Sequence, residues 1–195
     1  MLLFLLLAAI QPAVEAAALA GGSTGAPRLL ADDEYYQTLL TDIGKAETSI
    51  ELIMFLWKPG RNEGDDRPGQ IVRALGAARR RGVEVRVVLE NSGYDQAINR
   101  NNQEAARLLQ REGIATLFDS PSITTHAKLM VIDGRYCYIG SHNLTHSALA
   151  RNHEMTVKID DRRLAAELLT YAERITARPA TPRPARREPG PAGPR

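Results

Sequence analysis

The chain has 195 residues, which is enough for one domain with a hydrophobic core and too few for two domains of ordinary size. With 44% hydrophobic and 25% charged residues, its composition is that of a soluble globular protein. The net charge of +2 arises in residues 178–195, which hold five arginines and one glutamate. Subtracting the +4 of this tail leaves the rest of the chain at −2, so the basic charge balance is no argument for a nucleic-acid-binding surface on the folded body.

The chain begins with a short apolar segment. Leu2 to Ile10 are almost uninterruptedly hydrophobic and are followed by an alanine-rich stretch, a pattern typical of a secretory signal peptide, although no Lys or Arg precedes it. We therefore predict a leader over residues 1–18, a Gly/Ser/Ala linker over 19–31, and export to the periplasm or the medium. An uncleaved membrane anchor at the N-terminus is the alternative.

The remaining sequence predicts a single α/β domain over residues 32–177, with a mixed β-sheet flanked by helices. Helices are expected at 34–46, 70–81, 99–112 and 161–176, the first capped by Asp32 or Asp33 and the last by Asp161. Strands are expected at 48–57, 83–89, 114–118, 128–132, 136–139 and 154–159, with a loop at 58–69. The Pro/Ala/Arg/Gly tail, 178–195, is predicted to be disordered.

The residues that suggest chemistry lie between 125 and 154. His126 and Lys128 are two apart in a predicted strand and so project to the same face. Asp133-Gly134 is a strong hairpin signal that returns the chain beside this strand, and Ser141 and Asn143 follow the returning strand. An imidazole, an ammonium group and an amide around one point would suit a phosphate group.

The same stretch carries the pattern His-x-Lys-x4-Asp-x6-Gly-Ser-x-Asn, which resembles the signature of the phospholipase D superfamily. Six fixed residues have a chance probability on the order of 10⁻⁸ per starting position. The single copy of the motif and the chain length resemble the short bacterial endonucleases of this superfamily, and mitochondrial cardiolipin hydrolase is similar in having one motif. The resemblance implies a phospholipase D-like α/β sandwich.

The resemblance also implies a mechanism centred on His126. This histidine would attack phosphorus and form a phosphohistidine, and the same histidine of a second subunit would protonate the leaving oxygen and then activate water. The expected assembly is therefore a homodimer with a composite active site, and neither a metal ion nor another cofactor is expected.

Roles for the other motif residues follow from the same resemblance. Lys128 and Asn143 would bind the phosphate oxygens, and Ser141 would support the site. Glu154 would accept a hydrogen bond from the catalytic histidine. Asp133 is included in the catalytic set, although the position suits a structural turn residue equally well, and Glu154 also fits an ordinary solvated carboxylate.

Two other readings concern residues of the same region. His142, His146 and His153 lack the spacing of a familiar zinc site, so we predict no metal site. Cys137, the only cysteine, lies in an apolar run and is predicted to be a buried structural thiol.

The sequence thus predicts a phosphodiesterase, with an endonuclease acting on DNA or RNA as the first hypothesis. Hydrolysis of phospholipids is the alternative, and a catalytically inactive binding protein is the least favoured hypothesis.

Overall fold

The structure, a computed structural model, describes residues 25–60 and 66–177. Four predicted segments lie wholly or partly outside the described residues. They are the leader at 1–18, the first part of the linker, residues 61–65 of the loop and the tail at 178–195.

A seven-stranded mixed sheet forms the centre of the domain, in the order β1-β7-β6-β5-β2-β3-β4. Its strands are β1 (Arg28–Ala31), β2 (Ser49–Met54), β3 (Glu84–Leu89), β4 (Ala115–Phe118), β5 (Lys128–Ile132), β6 (Tyr136–Gly140) and β7 (Met155–Asp160). β2, β3 and β4 are parallel, whereas β5, β6, β7 and β1 pair antiparallel. This arrangement confirms the predicted α/β fold with a mixed sheet.

Among residues 25–60 and 66–177, five helices cover the sheet unequally. They are α1 (Asp33–Lys45), α2 (Arg67–Arg80), α3 (Gln96–Arg111), α4 (His146–Ala150) and α5 (Arg162–Thr176). The first four contribute to a large core on one face of the sheet, and α5 covers a smaller core on the other face. None of the helices in the described ranges is long and apolar enough to cross a membrane.

The strand directions give the sheet two functionally different ends. The carboxyl ends of β2, β3, β4 and β6 lie beside the amino ends of β5 and β7, and we call this end the His126 edge. The turn between β5 and β6 lies at the other end, which we call the Asp133 edge. Loops that follow parallel strands are a common location for binding sites in α/β sheets, which directs attention to the His126 edge.

The predicted hairpin is present. Asp133 and Gly134 have φ values of 56° and 55°, and the N–H of Arg135 donates to the carbonyl of Ile132 over 3.0 Å. Two consecutive positive φ values are typical of a type I′ turn, in which an Asp-Gly pair is strongly favoured.

Several boundaries differ from the predictions. Residues 28–31, assigned to a linker from sequence, instead form the edge strand β1 paired with β7. Asp32 lies at the N-cap of α1 but makes no capping bond, because its carboxylate accepts the N–H of Glu154 over 3.0 Å. Helices α2 and α3 each begin three residues early, since Asp66 and Asp95 cap their amino ends.

Two local predictions are confirmed. Asp161 caps α5 by accepting the N–H groups of Arg163 and Leu164. Cys137 is fully buried, and burial raises the pKa of its thiol to about 11, as expected of a structural cysteine.

Candidate active site

His126 and Lys128 form the centre of the His126 edge. The His126 side chain is exposed to solvent just before β5, and Lys128 is the first, largely buried residue of that strand. The Lys128 ammonium lies 3.2 Å from both ring nitrogens of His126 and donates to the His126 carbonyl over 2.8 Å. The two side chains predicted to project together therefore meet, with a cation held against an accessible imidazole.

Phe55, which follows β2, supports both groups from beneath. Its ring centroid lies 4.4 Å from that of His126 and 4.7 Å from the ammonium nitrogen of Lys128. The first distance is an aromatic contact and the second is within the range of a cation–π interaction. Phe55 is thus a wall of the site.

The electrostatic environment favours the neutral imidazole. Partial burial lowers the pKa of His126, and the charge of Lys128 lowers it further. Burial also lowers the pKa of Lys128, which the negative charge of Glu154 partly offsets. A neutral ring has a lone pair available for attack at phosphorus near neutral pH.

Asn143 lies at the same edge of the sheet, in the segment that follows β6. Its side-chain oxygen is buried and has no hydrogen-bond partner. A buried polar atom without a partner is costly in a folded protein, and such atoms occur where a ligand or water completes the site. This oxygen can accept a hydrogen bond but cannot bind a phosphate oxygen, which is itself an acceptor, so the predicted phosphate contact would have to come from the amide nitrogen.

Ser141 and Glu154 are joined to each other. The hydroxyl of Ser141 donates to one oxygen of the Glu154 carboxylate, and Asn152 donates to the other over 3.1 Å. The predicted hydrogen bond from His126 to Glu154 is absent from the structure of the single chain, in which Ser141 and Asn152 are the side-chain donors to this carboxylate. Glu154 still acts on the site through its charge, as the pKa of Lys128 indicates.

Asp133 does not join the site, which corrects its inclusion among the catalytic residues. It lies at the opposite end of β5, about 17 Å from Lys128 at the usual rise of a strand. Its carboxylate accepts the N–H groups of Glu47, Thr48 and Ser49 over 2.7–3.2 Å. The residue fastens the β5–β6 turn to the segment between α1 and β2, which is a structural role.

His142 is also structural. It is buried and stacked on Tyr35, its Nε2 donates to the Asp32 carbonyl over 2.9 Å, and its Nδ1 lies 2.8 Å from the Thr156 hydroxyl. Burial lowers the pKa of His142. Across residues 25–60 and 66–177, no group of three or more His, Cys, Asp or Glu side chains is arranged to hold a metal ion.

Sequence reasoning missed three residues at this edge. Glu90 follows β3, Asp119 follows β4, and both are buried acids. Asn102 of α3 donates to the carbonyls of Phe55 and Glu90, both over 2.9 Å, and accepts the N–H of Trp57 over 2.8 Å. The only sequence signal of Glu90 and Asp119 is an acidic residue at or just after the end of an apolar strand, a pattern that ordinary loops share. Asn102 is one of several polar residues of α3 and has no signal of its own.

Comparisons with known proteins agree with this geometry. A family model described as cardiolipin synthase, phospholipase D-like domain, matches residues 39–176. Cardiolipin synthase A of Pectobacterium carotovorum is 30% identical over 120 residues, which are 57% of this chain and 24% of that protein. The chain thus spans about a quarter of the length of that relative.

Solved structures show the same fold. The phospholipase D family member Nuc of Salmonella typhimurium matches with a TM-score of 0.63 and 24% identity over 77% of this chain and 94% of that one. NucT of Helicobacter pylori matches with a TM-score of 0.61 and 17% identity over the same shares. Since the family model spans well over half of the chain and includes the whole His126 motif, the chain belongs to the phospholipase D superfamily of phosphodiesterases.

Proposed function

We propose that the protein hydrolyses phosphodiester bonds in nucleic acids through a phosphohistidine on His126. The observation that carries this proposal is the exposed His126 imidazole with the Lys128 ammonium 3.2 Å from its ring nitrogens. The nucleophile is accessible from solvent, and the cation is where negative charge would develop on the attacked phosphate.

The reaction has two displacements. In the first, a ring nitrogen of His126 forms a bond to phosphorus, the bond from phosphorus to the leaving oxygen breaks, and that oxygen takes a proton from a second imidazolium. In the second, water loses a proton to that second imidazole and attacks phosphorus, which breaks the phosphorus–nitrogen bond. The products are an alcohol and a phosphomonoester, and His126 is regenerated.

The second imidazole is assigned to another copy of the chain. His142, the other histidine of the motif, has both ring nitrogens engaged within its own fold, and His146 and His153 lie outside the motif. An in-line displacement needs the nucleophile and the acid on opposite sides of phosphorus, which one His126 cannot satisfy. A two-fold axis would bring a second His126 to the other side.

An exposed apolar strip beside the site supports this dimer. Met155 and Leu29 are 61% and 55% exposed, and Ile139 is also exposed, on the neighbouring strands β7, β1 and β6. Met155 directly follows Glu154, and its carbonyl accepts the N–H of Ser141 over 2.9 Å. An apolar surface that adjoins the incomplete site suits a contact between two subunits.

Nucleic acid is the preferred substrate because the length and single motif resemble the short endonucleases of the superfamily, and because a solvent-exposed His126 is accessible to a long polymer backbone. Phospholipid is the second candidate, and a specific feature favours it. Tyr94 and Ile123 are 61% and 52% exposed on two loops of the His126 edge, which meet where Gly93 packs closely against the carbonyl of Pro121. Exposed aromatic and aliphatic side chains near a site suit the surface of a membrane. The similarity to cardiolipin synthase A adds to this alternative.

The substrate test compares plasmid DNA, RNA and phospholipid vesicles containing cardiolipin or phosphatidylcholine, each with EDTA present. We expect nicking of DNA or cleavage of RNA that persists in EDTA, since an imidazole nucleophile needs no metal. Release of headgroup from vesicles without any cleavage of nucleic acid would favour the phospholipid alternative. Loss of all activity in EDTA, restored by a divalent ion, would overturn the histidine mechanism.

The covalent step and the assembly have their own tests. Labelled substrate should mark His126 with an acid-labile, base-stable phosphate that is absent from His126→Ala. Mixed dimers of wild-type and His126→Ala subunits should be nearly inactive, because each lacks one of the two roles. Dimers that keep half of the wild-type turnover, or a fully active monomer in sedimentation, would contradict the composite site.

A further inference from the structure

Behind the His126 segment lies a pair of buried acids. Glu90 and Asp119 follow the neighbouring parallel strands β3 and β4, and their side chains meet. They are only 1% and 6% exposed. Burial of two carboxyl groups side by side is costly unless they share a proton or have a cationic partner.

The hydrogen bonds of the pair identify where a shared proton belongs. One oxygen of Glu90 accepts the N–H of Thr125 over 2.6 Å, and one oxygen of Asp119 accepts the N–H of Asn91 over 2.6 Å. The other two oxygens, Oε1 of Glu90 and Oδ2 of Asp119, are buried without a donor. A single proton on one of these oxygens would supply the missing hydrogen bond between the two side chains.

The pKa of Glu90 agrees with a protonated pair. Burial raises it to about 7, the Thr125 N–H opposes this shift, and the neighbouring Asp119 adds to it. Among the described residues, Asp119 is the ionisable group that faces Glu90, since α3 presents the uncharged Asn102 and the 120–125 segment presents a backbone amide.

The pair is connected directly to the catalytic segment. Thr125, whose N–H binds Glu90, immediately precedes His126. Asn102 joins the carbonyls of Glu90 and Phe55, and the Phe55 ring lies against His126. Two connections therefore link His126 to Glu90: one through the backbone of Thr125, and one through Asn102 and the ring of Phe55.

We propose that Glu90 and Asp119 are positioning residues that share one proton and fix the Thr125–His126 segment for attack at phosphorus. The inference rests on the proposed function of His126 and adds the residues that position this histidine. When the pair loses its shared proton, two adjacent carboxylates repel each other, and the Thr125 anchor loosens. Positioning should then weaken as the pH rises above neutrality, apart from any ionisation of the imidazoles.

The test uses the ratio of kcat/KM between Glu90→Gln and wild type across pH 6 to 9. Glutamine can accept the Thr125 N–H with its oxygen and donate to Asp119 with its amide, so it imitates the protonated pair at every pH. Because both enzymes share the ionisations of His126, the ratio isolates the carboxyl pair. We expect a ratio near one at pH 6 that rises about tenfold by pH 9.

Glu51→Gln is the matched control. Glu51 is also buried, with a pKa raised to about 7 by burial first and by nearby carboxylates, but it lies in β2 among residues beneath α5. Its ratio to wild type should stay constant across the same pH range. Glu90→Leu removes the acceptor for Thr125, and its kcat/KM should fall at least tenfold at all pH values. The loss should also be present at temperatures well below the melting transition of the variant.

A ratio for Glu90→Gln that stays within twofold from pH 6 to 9 would overturn the proposal, as would an equal rise for Glu51→Gln. A readout without substrate separates this result from failure of the proposed function. The amide proton shift of Thr125 should titrate near neutral pH in wild type and not in Glu90→Gln. If that titration is present but no phosphodiester is cleaved, the proposed function fails and the anchoring of Thr125 stands; if it is absent, the pair does not exist as described.

Discussion

The two ends of strand β5 carry residues of one sequence motif but differ in how their polar groups are satisfied. At the Asp133 edge, the carboxylate of Asp133 accepts three backbone N–H groups and a hydroxyl, and Arg135 forms an ion pair with Asp160. At the His126 edge, buried oxygens of Glu90, Asp119 and Asn143 have no donor. The polar groups named at the Asp133 edge are paired within the fold, whereas those named at the His126 edge can still accept hydrogen bonds.

This difference teaches that the motif combines two tasks. Fully paired polar groups stabilise a fold, whereas buried unpaired groups and shifted pKa values concentrate at sites that act on a ligand. The contiguous pattern from His126 to Asn143 therefore encodes a reactive end and a structural end of the same hairpin. If the division holds, substitutions at the two edges should separate loss of activity from loss of stability.

Replacing His126 with alanine should reduce kcat/KM by about 10⁴-fold or more, because the nucleophile is lost. The side chain is exposed, so the free energy of unfolding should change by less than about 0.5 kcal/mol. His153→Ala, which removes an exposed histidine outside the motif, should keep wild-type kinetics. Measuring turnover and denaturant midpoints together checks both statements, and an active His126→Ala would assign the chemistry elsewhere.

Replacing Lys128 with methionine should reduce kcat by about 10²- to 10³-fold, the usual effect of removing one group that stabilises transition-state charge. Methionine retains contact with Phe55 but removes the cation that helps to lower the pKa of His126. The acid limb of the pH–rate profile should therefore move to higher pH. A profile in the wild-type position would show that Lys128 does not act on His126. Lys45→Met, which removes an exposed lysine at the end of α1, is the matched control.

Replacing Asp133 with alanine should lower the free energy of unfolding by about 2–3 kcal/mol, because three backbone donors lose a charged acceptor and a positive φ is left to a residue that disfavours it. The folded fraction should keep kcat within about threefold of wild type. A loss of activity by orders of magnitude in folded protein would return Asp133 to the catalytic machinery.

The pH dependence of stability gives this third prediction a second measurement. Burial opposes ionisation of Asp133, but hydrogen bonds from Thr48, Ser49 and Glu47 outweigh it, so the pKa lies below 3.8. A lowered pKa stabilises the fold above pH 3.8, and this contribution is lost as the pH falls through the lowered value. Asp133→Asn should therefore flatten the loss of stability in acid.

The same division explains what sequence reasoning could predict. Strand and helix order follow from local periodicity and caps, and the turn at Asp133-Gly134 follows from local backbone preference. These predictions are confirmed except that the sequence analysis missed the short helix α4 and strand β1. The approach of Glu90 to Asp119 depends on the parallel pairing of β3 with β4, which no local pattern specifies. Strand β1 was missed for a similar reason, since four mostly exposed residues become a strand only by pairing with β7.

Asp133 entered the catalytic set through the motif, with a structural turn residue as an equal alternative. The five extended residues of β5 place it and His126 at opposite ends of a strand, which favours the structural alternative. The hydrogen-bond donors to Glu154 could not be predicted from the sequence either, because Ser141 and Asn152 approach the carboxylate only when β6 and β7 pair.

The smallest expected effect concerns Glu51, the buried carboxyl that lacks a hydrogen-bond donor on one oxygen although it lies away from the His126 edge. Burial raises its pKa to about 7, with Arg86 at 3.6 Å opposing the shift. A raised pKa means that the contribution of Glu51 to stability is complete below about pH 4.5 and is lost as the pH rises through about 7.

Glu51→Gln should therefore increase the free energy of unfolding at pH 8 by about 1 kcal/mol, less than the full shift implies because Arg86 loses its partner. At pH 5 the change should be close to zero, and kcat/KM should match wild type at both pH values. Thermal melts at the two pH values, with a gain of about 3 °C expected only at pH 8, measure the first statement. If Glu51→Gln instead altered catalysis, activity would depend on a buried carboxyl outside the His126 edge, and the division between a reactive and a structural edge would fail.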